Sequence, residues 1–226
     1  MMTKILFTTK FDCIICLNGE IPSKDIFDRV KNIPIFAADG AALKLLENGI
    51  EPTKIIGDLD SFESKNNKTI QNIEEKIIKI DDQNTNDFEK ILLYILTHKY
   101  YNCLIFGIDG GEYEHSLNNW SVLTKYAQKI NLCIYTNGRY GFCVTQSISI
   151  SLRKNEIVSL IPCPSAIISS KNLNWELNDY LLEIGMNEGA RNFAFSEEVE
   201  LVLQQGKYYL FIDERLPFCF SYCSDC

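Results

Sequence analysis

The chain has 226 residues, of which 46% are hydrophobic and 23% charged, a composition typical of a globular protein with one large or two small domains. Its formal net charge is −8, from 30 acidic and 22 basic side chains. This charge argues against a binder of duplex nucleic acid, because such proteins need a basic face. The two histidines exclude a His-rich zinc site, and the HExxH metalloprotease motif is absent.

The cysteines and apolar segments indicate the cellular compartment. The sequence has no signal-peptide core and no apolar run long enough to span a bilayer, so we expect a cytoplasmic protein without a membrane partner. In that compartment the nine cysteines are expected to be reduced thiols. Cys13 and Cys16 lie three apart in a predicted strand and would face opposite ways, which argues against joint metal binding. Cys219, Cys223 and Cys226 form a Cys-rich tail, for which we favour a disordered end over metal or redox chemistry.

Up to about residue 137, short apolar runs alternate with helix-like segments. The clearest predicted helices are Asn86–His98, which begins with a pattern resembling a capping box, and His115–Lys129. The predicted strands are Lys4–Thr8, Asp12–Leu17, Pro34–Ala38, Lys54–Ile56, Lys76–Ile80, Cys103–Phe106 and Leu132–Tyr135. This alternation predicts an α/β fold with a Rossmann-like, mostly parallel sheet covered by helices on both faces.

After Asn137-Gly138-Arg139 the pattern changes to short β-branched strands separated by turns. The predicted strands are Phe142–Thr145, Ser147–Leu152, Glu156–Ile161, Ala166–Ser169, Val199–Leu203 and Lys207–Ile212. This spacing is typical of a small all-β sandwich or barrel. We therefore expect an α/β domain over residues 1–137, followed by a small all-β sandwich domain over residues 138–226.

Four aspartates fall where the predicted strands end or a helix begins, at the edge where open α/β sheets bind ligands. They are Asp39, Asp58, Asp60 and Asp87. Carboxylates without imidazole or thiolate partners suit Mg²⁺, which usually also contacts substrate phosphates. A single aspartate after a strand is often only a turn former or helix cap. Several together repel one another unless a cation or a proton intervenes, which favours a functional site.

A glycine-rich segment, Gly107–His115, follows a predicted strand and precedes a helix. Glycines at such a place let backbone N–H groups approach phosphates, although Gly-Gly also makes ordinary turns. The chain has no Walker A loop, no GxGxxG pattern and no GxSxG elbow. P-loop kinases, typical NAD enzymes and α/β-hydrolases are therefore disfavoured.

Taken in chain order, several motifs over about residues 12–212 resemble the thiamine pyrophosphokinase (thiamine diphosphokinase) family. They are Asn18-Gly19-Glu20-Ile21-Pro22, Ala38-Asp39-Gly40-Ala41-Ala42, Gly57-Asp58-Leu59-Asp60-Ser61, Asp82-Gln83 with Thr85–Lys90, the Gly107–Asn118 block, Ser169-Ser170 with Leu173–Leu177, and Gly189–Asn192. Each motif alone is weak, but the ordered set is specific.

The resemblance implies transfer of pyrophosphate from ATP to thiamine, giving thiamine diphosphate and AMP, with Mg²⁺ as cofactor. It also implies that the α/β domain binds the nucleotide, that the β-sandwich domain binds thiamine, and that the protein is a homodimer with sites between subunits. The implied catalytic carboxylates are Asp39, Asp58, Asp60 and Asp87, of which Asp58, Asp60 and Asp87 would hold the metal. The implied nucleotide contacts are Gly57, Ser61, Thr85, Lys90, Gly110, Gly111 and His115, and the implied thiamine contacts are Gln83, Ser170, Trp175 and Asn192. Either Asp87 or Asp58 would accept the hydroxyl proton.

The chain departs from the family pattern at four positions, which are Ala41, Glu112, Glu114 and Arg191. At Glu112 the family usually has an arginine suited to phosphate binding, so ATP binding is weakened unless Lys90 or Arg139 replaces that charge. These departures leave two alternatives open. One is a non-catalytic relative that binds thiamine or a nucleotide, and the other is a pyrophosphokinase for another heterocyclic alcohol, such as a pterin.

Overall fold

A computed structural model describes residues 2–59 and 73–223 of this mixed α/β protein. Its strands are β1 (Thr3–Lys10), β2 (Cys13–Cys16), β3 (Ile35–Ala38), β4 (Lys54–Gly57), β5 (Ile77–Lys79), β6 (Asn102–Phe106), β7 (Asn131–Thr136), β8 (Arg139–Val144), β9 (Ile148–Ser151), β10 (Ile157–Lys171), β11 (Tyr180–Glu183), β12 (Gly189–Phe193), β13 (Glu198–Asp213) and β14 (Phe218–Cys223). Its α-helices are α1 (Lys24–Arg29), α2 (Asp39–Glu47), α3 (Asp87–Thr97) and α4 (Tyr113–Tyr126). None of the described helices is long and apolar enough to cross a membrane.

The chain divides into two compact units. The first, called here the helical unit, is Phe11–Lys125, and the second, the β unit, combines Met1–Lys10 with Tyr126–Cys226. The predicted change near residue 137 lies inside the β unit, at the turn between β7 and β8, which pair antiparallel. Asn137 and Gly138 both have positive φ there, as a tight hairpin turn requires. The assignment of nucleotide and thiamine binding to separate domains stays a prediction.

The helical unit is built on a parallel sheet with the strand order β6-β2-β3-β4-β5. All four residues of β2 are buried, as expected for a strand covered on both faces. Cys13 and Cys16 are therefore both core residues, and the buried Cys13 thiol lies 3.5 Å from the Cys103 thiol on β6. Strand β1, which the sequence analysis grouped with the α/β part, instead pairs with β9 and β14 of the β unit.

Helix α3 begins as predicted. The Asn86 side chain accepts a hydrogen bond from the Glu89 backbone N–H at 2.9 Å, which satisfies one of the free donors of the first turn. The Glu89 carboxylate pairs with Lys125 at 2.5 Å. The buried face of α3 includes Ile91 and Ile95, one helical turn apart. The cap thus fixes the start of the helix that carries Asp87.

Two long antiparallel strands, β10 and β13, organise the β unit. The sequence pattern predicts two short strands in each of these regions. This prediction is wrong, because the chain continues through each interruption with a bulge instead of reversing direction. The β10–β13 register shifts between Pro162 and Ala166, and Gly206 opposite them has a φ of +81°. An added Cβ on Gly206 would lie 2.1 Å from the Ser165 carbonyl oxygen, so only glycine fits this crossing.

The C-terminal cysteines do not lie on a disordered end, as far as the structure describes them. Cys219 and Cys223 belong to β14, and Cys219 is fully buried. Burial raises the pKa of the Cys133 thiol, and Cys219 adds to this effect. None of the eight described cysteines is in a disulfide, and Cys226 lies outside the described residues.

Candidate functional site

Three of the predicted carboxylates converge at the carboxyl ends of β3 and β4. Asp39 follows β3 as the first residue of α2, and Asp58 follows Gly57, the last residue of β4. An added Cβ on Gly57 would lie 3.2 Å from both the Asp39 Cβ and the Asp87 Oδ1, and 3.3 Å from the Asp39 Cγ. The missing side chain at Gly57 therefore leaves the space in which the Asp39 and Asp87 side chains meet.

Lys90 joins these carboxylates from the first turns of α3. Its side chain is only 3% exposed, and its Nζ lies 3.2 Å from Asp87 Oδ1 and 3.7 Å from Asp58 Oδ2. Burial raises the pKa of Asp87 to about 6, Asp39 and Asp58 add to this effect, and Lys90 opposes it. One ammonium therefore does not neutralise the cluster, and a further cation would be attracted to it.

The donor chemistry of the carboxylate cluster, defined as Asp39, Asp58 and Asp87, fits a hard divalent cation such as Mg²⁺. Within residues 2–59 and 73–223, however, no group of three His, Cys, Asp or Glu side chains is already arranged to hold a metal. The predicted ligand Asp60 and the predicted nucleotide contact Ser61 lie outside the described residues.

A cleft of about 480 Å³ lies beside this cluster, in the helical unit, and Asp87 lines it. It is formed by the segments that follow β2 and β6 and by residues at the starts of α3 and α4. Its lining residues include Leu17, Asn18, Gly19, Lys44, Asn86, Asp87, Gly107, Ile108, Gly111, Glu112, His115, Ser116 and Asn119. The cleft therefore brings Gly111 and His115, two predicted nucleotide contacts, to the same cavity as a predicted catalytic carboxylate.

Most of the glycines in this region serve the close approach of two loops. The Gly19 N–H donates to the Gly107 carbonyl at 2.9 Å, and the Glu20 N–H donates to the Asp109 carbonyl at 2.7 Å. An added Cβ on Gly19 would lie 1.8 Å from the Asp109 oxygen. Gly110 packs similarly against Glu20, so its glycine character is explained by packing. Because packing between the loops explains these glycines, fewer residues of the glycine-rich segment are left to contact a phosphate than the sequence suggested.

The remaining predicted contacts of the helical unit differ in their surroundings. The Thr85 hydroxyl donates to Asp82 at 2.9 Å, inside the loop before α3, and Gln83 of the same loop is exposed. The Asn84 backbone N–H and the Thr85 hydroxyl hold the pKa of Asp82 below its usual value. His115 Nε2 lies 3.1 Å from a Glu112 carboxylate oxygen.

Two residues that the sequence patterns did not indicate, Lys44 and Asn119, line the cleft. Asn119 accepts a hydrogen bond from the Asn86 side-chain amide at 3.1 Å, an interaction between residues 33 positions apart. Lys44 Nζ donates to the backbone carbonyls of Asn18 and Gly19. Sequence spacing gives no signal for either contact, because both join elements that meet only in the folded chain.

The β unit has a cavity of its own, of about 450 Å³, which contains two of the predicted thiamine contacts. Its lining residues are Trp175, Leu177, Tyr180, Leu182, Met186, Asn187, Glu188, Gly189, Ala190 and Asn192. Trp175 is 58% exposed, so its indole is not a core side chain. Asn192 is buried, and its amide both accepts from the Trp175 N–H at 3.1 Å and donates to the Trp175 carbonyl at 2.8 Å. Asn192 therefore fixes the backbone that carries the indole.

Ser170 holds the same loop from its other side. Its hydroxyl donates to Glu176 Oε2 and accepts from the Leu177 N–H, at 2.5 and 2.8 Å. The described contacts thus give Ser170 and Asn192 a positioning role around Trp175. Arg191, a departure from the family pattern, is exposed and has a φ of +60°.

The chain is similar in sequence and in fold to known proteins of one family. The family described as "Thiamin pyrophosphokinase, catalytic domain" matches residues 30–134. Among solved structures, the thiamine pyrophosphokinase from Bacillus subtilis is 18% identical with a TM-score of 0.72, over 90% of this chain and 100% of that one. The yeast thiamin pyrophosphokinase is 18% identical with a TM-score of 0.76, over 90% and 86%. The Candida albicans enzyme is 15% identical with a TM-score of 0.74, over 95% and 99%. No curated protein sequence matches the chain.

Proposed function

Because the chain belongs to the thiamin pyrophosphokinase family, we propose that it transfers the pyrophosphoryl group of ATP to the primary hydroxyl of thiamine, giving thiamine diphosphate and AMP. The observation that supports this most strongly is the carboxylate cluster around Gly57, which adjoins a cleft of nucleotide size. We also propose that the helical unit has a Rossmann-like character and that the β unit is a sandwich. The protein is proposed to be a cytoplasmic homodimer.

In this reaction, the hydroxyl oxygen of thiamine attacks the β-phosphorus of ATP and AMP leaves. Asp58 and Asp87, with Asp60, would hold Mg²⁺, which supplies charge neutralisation at the phosphates when bound. Lys90 keeps Asp87 in place by ion pairing, and the absent side chain of Gly57 leaves room for Asp39 beside Asp87. Asp58 or Asp87 would accept the proton of the thiamine hydroxyl.

The two cavities suit the two substrates. The cleft of the helical unit would hold the triphosphate near Asp87, with Gly111 and His115 at the nucleotide. The cavity of the β unit would hold the heterocyclic rings of thiamine against Trp175, whose exposed face is available for stacking. Asn192 would act there by fixing Trp175.

The deciding experiment is a product assay of purified protein with Mg²⁺, ATP and thiamine. We expect AMP and thiamine diphosphate in equal amounts, with ADP absent as a main product. Asp58→Asn should abolish product formation while the far-ultraviolet circular dichroism stays that of the wild type. Asp28→Asn, an exposed aspartate on α1, is the matched control and should retain activity.

Two other outcomes would change the proposal. Calorimetric binding of thiamine without any product would favour a non-catalytic relative, which the Glu112 and Arg191 departures suggest. Product formation with a pterin alcohol but not with thiamine, in a panel under the same conditions, would favour a different acceptor.

A further inference from the structure

The nucleotide cleft is poor in positive charge. Among its described lining residues, Asp87 and Glu112 carry carboxylates, and Lys44 is the sole lysine or arginine. His115, the other basic side chain of the lining, lies against Glu112. A bound triphosphate would add several negative charges to this cavity, so its binding needs a cation from the protein as well as from any bound metal.

Lys44 is held where it can meet a phosphate group. Its Nζ donates to the Asn18 carbonyl at 2.5 Å and to the Gly19 carbonyl at 3.0 Å, both on the loop that lines the cleft. An ammonium group has three N–H donors, so two hydrogen bonds to the protein leave one for a ligand. The fixed position reduces the side-chain entropy lost when the ligand binds.

The two replacement cations expected from the sequence are engaged elsewhere. Lys90 is buried between Asp58 and Asp87, where it partly neutralises the carboxylate cluster. Arg139, in the β unit, donates to Asp213 at 2.9 Å and to the Phe211 carbonyl at 3.0 Å. Neither is among the lining residues of the cleft.

We propose that Lys44 binds a phosphate group of the nucleotide and supplies the positive charge that is missing at Glu112. This inference rests on the proposed function in so far as the ligand is a nucleoside triphosphate. It is independent of catalysis, because it predicts binding of inorganic tripolyphosphate to the unmodified protein.

The test measures tripolyphosphate binding by calorimetry, without thiamine, for the wild type, Lys44→Met and Lys44→Arg. We expect Lys44→Met to weaken tripolyphosphate binding at least tenfold and to raise the KM for ATP similarly, with the KM for thiamine unchanged. Lys44→Arg should recover most of both losses. Lys54→Met is the matched control, because Lys54 also donates to a backbone carbonyl, that of Glu75, but does not line the cleft.

The dependence of affinity on ionic strength distinguishes direct phosphate binding by Lys44 from a role in which Lys44 only positions the loop whose carbonyls it contacts. Tripolyphosphate affinity should fall with salt in the wild type and fall less steeply in Lys44→Met, while both proteins keep the same thermal midpoint within a few degrees. Unchanged tripolyphosphate affinity in Lys44→Met, or no detectable binding to the wild type, would overturn the inference. An absence of AMP formation despite normal tripolyphosphate binding would overturn the proposed function and leave the inference standing.

Discussion

Asp87 is a residue whose protonation should be visible in the stability of the protein. Its pKa is raised from 3.8 to about 6 in the folded state, first by burial and then by Asp39. Between these two pH values the folded state binds more protons than the unfolded state, so the free energy of unfolding falls as the pH rises from about 4 to about 6. Above pH 6 the destabilisation is complete and stays constant.

Asp87→Asn should therefore stabilise the protein at neutral pH while abolishing AMP formation. A shift of this size corresponds to about 1 to 3 kcal/mol, the lower part of this range being expected because the side chain is 28% exposed. Urea unfolding without divalent cations at pH 7.5 and at pH 3.5 measures the effect, which should vanish at the lower pH. A variant less stable than the wild type at pH 7.5 would show that the interaction with Lys90 outweighs the cost of burying the charge and its repulsion by Asp39.

At Gly57, the absence of a side chain, rather than a charge, determines how closely the carboxylates of the site approach each other. Gly57→Ala would place a Cβ 3.2 Å from both Asp39 and Asp87, closer than ordinary van der Waals contact, so the two carboxylates must move apart. We expect a loss of at least tenfold in kcat, with a destabilisation of about 1 to 3 kcal/mol. Steady-state kinetics and urea unfolding of the same preparation measure both effects. Wild-type kcat in this variant would show that the separation of the carboxylates has no effect on the chemistry.

The start of α3 contributes both to the stability of this helix and to the position of Asp87 in the site. Asn86 caps the helix and also donates to Asn119, so Asn86→Ala removes both hydrogen bonds next to Asp87. We expect a loss of about 1 kcal/mol in the free energy of unfolding, together with lower activity. Asn86→Ser is the matched variant, since serine keeps a cap acceptor but not the contact with Asn119. If both variants lose the same stability, the cap itself contributes little.

The loop that carries Trp175 is the corresponding element of the β unit. Asn192→Asp keeps the hydrogen bonds from the Trp175 and Phe193 N–H groups but loses the donor to the Trp175 carbonyl. We expect the KM for thiamine to rise about fivefold, with the KM for ATP unchanged, because a neutral hydrogen bond contributes about 1 kcal/mol. Quenching of tryptophan fluorescence by thiamine gives the affinity directly. Equal changes in both KM values would contradict a role confined to the thiamine site.

Across the whole molecule, local signals were predictable from the sequence and long-range contacts were not. The helix after Asn86 and the buried run of β2 follow from periodicity and capping, which act between neighbours in the chain. The placement of β1 in the β unit depends on pairing with β9 and β14, far away in sequence. The same holds for the site. Asp39, Asp58 and Asp87 were predictable from strand ends, whereas Lys44 enters the cleft only through the tertiary fold.

Because the chain divides into two compact units, we can predict which unit will be destabilised by the loss of one buried ion pair. Glu156 has a fully buried side chain that accepts two hydrogen bonds of 2.7 Å from Arg215, as well as those from the Arg153 and Asp213 N–H groups. All four residues belong to the β unit. Removing one partner of such a pair leaves the other charge buried without compensation, which typically costs about 3 to 5 kcal/mol.

Glu156→Ala should therefore destabilise the β unit by about this amount and leave the helical unit largely protected. Native-state hydrogen exchange measures this, because amides that exchange only by unfolding of the β unit will exchange faster in the variant. We expect faster exchange in residues 3–10 and 126–223 and nearly wild-type rates at buried amides of β2, β3 and β6. Glu200→Ala, which removes an exposed pair with Lys171 in the same unit, is the control and should change neither set. Equal acceleration in both units would mean that they unfold as one cooperative body.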